Sequence, residues 1–105
     1  MADFSKIFEQ AQQMQTRMQQ MQSDLEKQTV TAAAGGGMVT VDADGKGTIT
    51  RVKIDPSVAD PKDVEMLEDL VLVAVNEAQK KAAELAKGEM GKLTGGLNLP
   101  FKLPF

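Results

Sequence analysis

Apolar side chains at Ile7, Ala11, Met14, Met18, Met21 and Leu25 recur in alternating steps of four and three, forming a heptad seam through residues 3–27. Gln, Arg, Lys and Glu fill most other positions, all good helix formers, and no Gly or Pro interrupts them. The spacing predicts one helix, about 35 Å long at 1.5 Å per residue. A chain of 105 residues makes one modest domain. So long a helix outruns what the rest can cover, and a narrow stripe of this kind packs against one or two partner helices. Met14, Met18, Met21 and Leu25 are therefore expected at a dimer interface, Met being soft and suited to packing.

The period changes after Gln28. Thr29, Val30 and Thr31 begin a β-like run that ends at Gly35-Gly36-Gly37, Met38 to Ala43 alternates as a strand, Asp44-Gly45 marks a hairpin turn, and Thr48 to Ile54 returns. Three short strands make a small antiparallel sheet. On the third, strict alternation sends Thr50, Val52 and Ile54 one way and Ile49, Arg51 and Lys53 the other, so one face is expected to be wet.

Asp55-Pro56 closes that strand, and Asp60-Pro61 reads as the opening of a second helix, with Asp as N-cap and Pro at the first helical position. Asp63, Glu65, Glu68 and Asp69 crowd its first turns, where the helix dipole favours negative charge. Val64, Leu67, Val71, Ala74, Ala78 and Leu85 form its apolar face, and Gly88 reads as a stop just after Lys87. From Leu70 to Val75 the sequence is apolar on every side and needs cover all round, from the sheet and from a second subunit. Leu70, Val71 and Val73 join the expected dimer interface.

Residues 1–87 thus form the expected single domain, and 88–105 a Gly- and Pro-containing tail that ends in two Leu-Pro-Phe triplets, at Leu99 to Phe101 and Leu103 to Phe105. Gly and Pro oppose regular structure there, while Leu and Phe oppose full solvation. The tail reads either as a loose terminus or as a docking peptide.

Cys, His, Trp and Tyr are absent. That removes thiolate nucleophiles, imidazole bases and the nitrogen and sulfur ligands zinc prefers. The carboxylates form no calcium-type loop. No enzyme, cofactor, metal or small-molecule substrate is expected. Met1 to Lys6 carries no apolar run, and no stretch approaches the roughly 20 apolar residues of a membrane span, so neither export nor membrane contact is expected. Net charge is −3, but from residue 80 onward Lys80, Lys81, Lys87, Lys92 and Lys102 face only Glu84 and Glu89. A local basic surface on an acidic protein still attracts phosphates.

Opposite the seam, Lys6, Gln10, Gln13, Arg17, Gln20, Asp24 and Lys27 form a polar stripe. Residue types alone allow two readings, a solvated helix face or a phosphate-contacting one. Further motifs bear on the choice. Gln10 to Gln15 and Met18 to Gln22 in the first helix, the strand exit Val52 to Ser57, the run Glu65 to Val71 and the final Leu-Pro-Phe-Lys-Leu-Pro-Phe together resemble the YbaB/EbfC family of nucleoid-associated proteins, in order over nearly the whole chain.

The resemblance implies an α+β fold in α-β-β-β-α order, with two long helices and a small three-stranded antiparallel sheet, forming an intertwined homodimer in the cytoplasm and nucleoid. It implies that helical arms grip double-stranded DNA with little sequence specificity, affecting nucleoid organisation and gene expression. The matching positions are Lys6, Arg17 and Lys27 on the first helix and Lys80, Lys81 and Lys87 on the second, to which the polar stripe adds Gln13 and Gln20. Fewer lysines stand around the Met-Gln repeat than is common in the family, with Glu9, Thr16 and Gln20 in their place. The competing function is a protein-interaction module, an adaptor for a DNA recombination or replication factor that docks through the arms or the tail.

Overall fold

Hydrophobic periodicity places the elements close to where they form. The computed structural model describes residues 4–94. In chain order they are α1 (Phe4–Lys27), β1 (Thr29–Ala34), β2 (Val39–Asp44), β3 (Ile49–Ile54), a 3-10 turn (Pro56–Val58) and α2 (Val64–Thr94). This is the α-β-β-β-α order the sequence predicts. The Leu-Pro-Phe ending lies outside the described residues.

The sheet has the order β1-β2-β3, antiparallel throughout. Gly35, Gly36 and Gly37 all have positive φ in the first turn, a conformation glycine reaches without strain. The second turn departs from a two-residue Asp-Gly hairpin. Gly47, not Gly45, takes the left-handed conformation, and the Asp44 carboxylate accepts from the backbone N–H groups of Lys46 and Thr48. A longer turn with a left-handed glycine at its end is the usual alternative to the two-residue form.

Strict alternation fails at one point on β3. Asp42 pairs with Arg51 but Ala43 pairs with Ile49, so Thr50 is an extra residue in a bulge. Ile49 is thereby returned to the face it shares with Val52 and Ile54, and it packs against the core instead of pointing away as alternation alone predicts.

That face receives α2. Val39, Val41 and Ala43 of β2 and Ala74 and Ala78 of α2 are fully enclosed. Alanines on both sides let helix and sheet approach closely, so the core is thin, and burying each of the two valines contributes about 1.5–3 kcal/mol. α2 lies across β1 and β2 and barely reaches β3. Val52 and Ile54 are consequently left 45% and 38% exposed.

α2 begins later and ends later than the sequence reading places it. Asp60 does not cap it; its carboxylate accepts from the Lys62 N–H in a tight turn, and Asp63 takes the capping role by accepting from the Met66 N–H at 3.2 Å. At the other end Gly88 is not a stop. The helix runs through Gly88 and Gly91 to Thr94. A helical glycine costs about 1 kcal/mol against alanine, and the flanking Ala, Leu, Lys, Glu and Met residues, with Lys92 bonded to Glu89, offset that cost.

Candidate nucleic-acid interface

The arms are set by how α1 joins the sheet. Leu25, 3% exposed, packs under the β2–β3 turn, and its carbonyl accepts from the N–H of both Gln28 and Gly45. Lys46 in the same turn pairs with Glu26 at 3.0 Å. α1 then runs back antiparallel to α2. Met21, Gln22 and Leu25 face Gln79, Ala83 and Ala86 across one hollow, and farther out Arg17, Gln20, Met21 and Asp24 face Glu89, Lys92 and Leu93. The result is an elongated body, 75 × 25 × 16 Å.

On α1, Lys6, Gln13, Arg17, Gln20 and Lys27 are all exposed and fall along one side of the helix. Gln20 donates to the Asp24 carboxylate at 2.9 Å. Among the described residues the side chains of Lys6, Arg17 and Lys27 form no ion pair.

The three lysines of α2 separate. Lys80 and Lys87 are seven residues apart and share one exposed line of the helix. Lys81 is rotated by about 100° from Lys80, and its ammonium donates to the Thr31 carbonyl of β1 at 2.7 Å. The structure therefore places Lys81 as a tie between helix and strand. Sequence distance hides this bond, since its partners stand 50 residues apart, but the helical phase of Lys81 differs visibly from that of Lys80 and Lys87.

The residues expected to meet a second subunit also divide. Leu25 is buried within its own protomer, Met21 is half-buried against the α1–α2 hollow, and Leu70 and Val71 pack on the core. Leu70 fills the space beside Gly35, where a Cβ would come within 2.8 Å of it. Met14 is half-buried, Met18 is 38% exposed, and Val73 is 52% exposed. Composition did not single out Leu72, which stands 59% exposed beside it. The open face of the sheet carries Arg51 and Lys53 across from Asp42 and Thr40, so it is no concentrated basic patch.

No group of three or more acidic residues is arranged to hold a metal among the described residues, and no helix there is long and apolar enough to cross a membrane. The surface of the described residues presents two long helices with polar and basic flanks around a small sheet. The chain belongs to the YbaB/EbfC DNA-binding family, whose sequence profile matches residues 1–97. It is 55% identical to a nucleoid-associated protein of Gemmatimonas aurantiaca over 103 residues, covering 98% of this chain and 99% of that one. It is 52% identical to a nucleoid-associated protein of Clostridium acetobutylicum over 98 residues, covering 93% and 88%. Among solved structures, that of an uncharacterized Helicobacter pylori protein has a similar fold, with a TM-score of 0.81 at 26% identity, covering 90% of this chain and 100% of that one.

Proposed function

We propose that this protein is a nucleoid-associated protein of the bacterial cytoplasm that binds double-stranded DNA as a homodimer, with low sequence specificity, and so affects nucleoid organisation and gene expression. The observation that carries this reading is the line of exposed basic side chains, without ion pairs among the described residues, along the two helices of a DNA-binding family member: Lys6, Arg17 and Lys27 on α1 and Lys80 and Lys87 on α2. Such groups neutralise phosphates, and Gln13 and Gln20 add hydrogen bonds to phosphate or base edges; contacts of this kind position a protein without reading much sequence. With four Phe as its only aromatic residues, the chain has little to stack on unpaired bases, which favours duplex over single strands. Relatives named as nucleoid-associated support the location.

The dimer is supported by apolar surface that the protomer leaves open, Leu72 and Val73 on α2 and Val52 and Ile54 on β3. Fluorescence anisotropy of the protein with a labelled duplex of about 30 base pairs, over a salt series, tests the reading. Affinity should fall linearly in log salt. Binding that does not respond to salt, or no binding at low salt, refutes phosphate contact.

One observation favours the adaptor reading, in which a recombination or replication protein is the partner. Met66, Leu70 and Val73 form an apolar hollow rimmed by Asp63, Glu65 and Asp69. If low-salt DNA binding is absent, capture of a basic amphipathic partner segment at this hollow, abolished in V73D, becomes the leading function.

A further inference from the structure

Well out along the arm, α1 and α2 face each other over a hollow of about 370 Å³, with Arg17, Gln20 and Asp24 on one wall and Glu89 and Lys92 on the other. Lys92 reaches this place because α2 continues through Gly88 and Gly91 to Thr94. It stands five residues after Lys87, which turns it about 140° away from the line of Lys80 and Lys87 and toward α1. The hollow thus has a guanidinium on one wall and an ammonium on the other.

The two cations differ in state. Arg17 forms no ion pair among the described residues, whereas the Lys92 ammonium lies 3.4 Å from the Glu89 carboxylate, one turn back. The Lys92 side chain is 78% exposed and that of Glu89 29%, so the carboxylate is set into the hollow and the ammonium stands at its rim. Asp24, the other carboxylate there, accepts from the Gln20 amide. An exposed Lys–Glu pair at this spacing is weak and exchanges easily. A phosphodiester in its place forms charge-assisted hydrogen bonds with the ammonium and, across the hollow, with the fork of the Arg17 guanidinium.

The backbone beside Lys92 leaves room for such a partner. On the helix surface Glu89 borders Lys92 on one side, and Gly88 and Gly91 border it on the other. Nothing lies within 4 Å of where a Cβ would stand at either glycine. Packing inside the protomer therefore does not call for glycine at these positions, and helix backbone without side chains admits close approach of another molecule.

On the DNA-binding reading above, we propose that this hollow seats the phosphate backbone of a duplex between Arg17 and Lys92, and that Glu89 occupies Lys92 in the free protein as an internal substitute for phosphate. Binding transfers the Lys92 ammonium from Glu89 to a phosphate oxygen. Glu89 is then left unpaired beside the phosphate, so this carboxylate lowers the affinity of the arm.

Anisotropy titrations of a labelled duplex of about 30 base pairs at low salt, with the native protein, E89Q, K92Q and E89Q/K92Q, test this. All three variants keep good helix formers, and circular dichroism checks that helix content holds. E89Q is expected to bind about threefold more tightly, the scale of an exposed ion pair. K92Q should bind about threefold more weakly, with a salt slope lower by about one. E89Q/K92Q should be no tighter than K92Q, because the gain needs the ammonium it releases. Native affinity in E89Q or in K92Q overturns the proposal, and so does a gain from E89Q that is as large without Lys92, which would make Glu89 a general negative charge. Absence of binding by the native protein refutes the DNA-binding reading itself, whereas native binding with unchanged variants overturns this assignment alone.

Discussion

The backbone N–H of Gly45 donates to the carbonyl of Leu25 at 2.8 Å, and this bond joins the end of the α1 arm to the β2–β3 turn. The approach requires glycine: a Cβ at position 45 would stand 2.7 Å from the Leu25 carbonyl oxygen and 2.8 Å from its Cδ2. Backbone on one side and a buried side chain on the other leave little to yield. Gly45→Ala is expected to cost about 1–3 kcal/mol, read as a lower melting temperature. Hydrogen exchange should speed up first at residues 17–27, before the sheet is affected. Unchanged protection of α1 would show that the turn does not hold the arm.

Lys80 and Lys81 are neighbours in sequence with different work. Lys81 is engaged with the Thr31 carbonyl, while Lys80 shares an open line with Lys87. K80E/K87E is expected to weaken duplex binding and to lower the slope of log affinity against log salt by about one for each phosphate no longer neutralised. Lys81→Met should leave that slope nearly as it was and lower stability by about 1 kcal/mol or less, the contribution of an exposed hydrogen bond. Arg17→Glu on the other arm should act as K80E/K87E does. A salt slope that falls as much in Lys81→Met as in K80E/K87E would reverse the assignment.

Leu72 stands open in the middle of the most apolar segment of the chain, next to Val73 and on a helix whose opposite side is sealed on the sheet. Leu72→Asp leaves the core untouched, so helix content by circular dichroism should hold. For the proposed homodimer, sedimentation should show a dissociation constant raised by at least about tenfold, equivalent to about 1.4 kcal/mol. A dimer of undiminished strength would move the interface to β3, where Val52→Asp is the corresponding variant.

Much of the fold is legible in the chain. The heptad seam locates α1, and alternation locates the strands to within a residue or so, because both patterns reflect burial on one side of a regular element. Besides the longer β2–β3 turn, three features escape for physical reasons. The bulge at Thr50 adds a residue without changing composition, so alternation puts Ile49 on the wrong face. Gly88 carries a helix-stop signal that local propensity and packing against α1 override. Asp60-Pro61 carries a capping signal, but Asp63 nearer the apolar run performs the capping. Of the candidate site, the α1 stripe follows from spacing, whereas the diversion of Lys81 to β1 depends on a contact between distant segments that no local pattern encodes.

The exit of β3 carries a pH signature. Asp55 caps the 3-10 turn, its carboxylate accepting from the Ser57 N–H at 2.9 Å. That bond, the Ser57 hydroxyl and the charge of Lys53 hold its pKa below the ordinary aspartate value. A group whose folded pKa is depressed adds stability that is fully present above its unfolded pKa, near 3.9, and that is lost as pH falls through the folded value. Asp55→Asn removes the ionised acceptor and the titration together. The melting temperature of Asp55→Asn should therefore lie below that of the native protein at neutral pH, and the gap should close as the solution is acidified below about pH 3.9. A gap that stays constant down to that acidity would mean that the Asp55 carboxylate gains nothing from ionisation in the folded state.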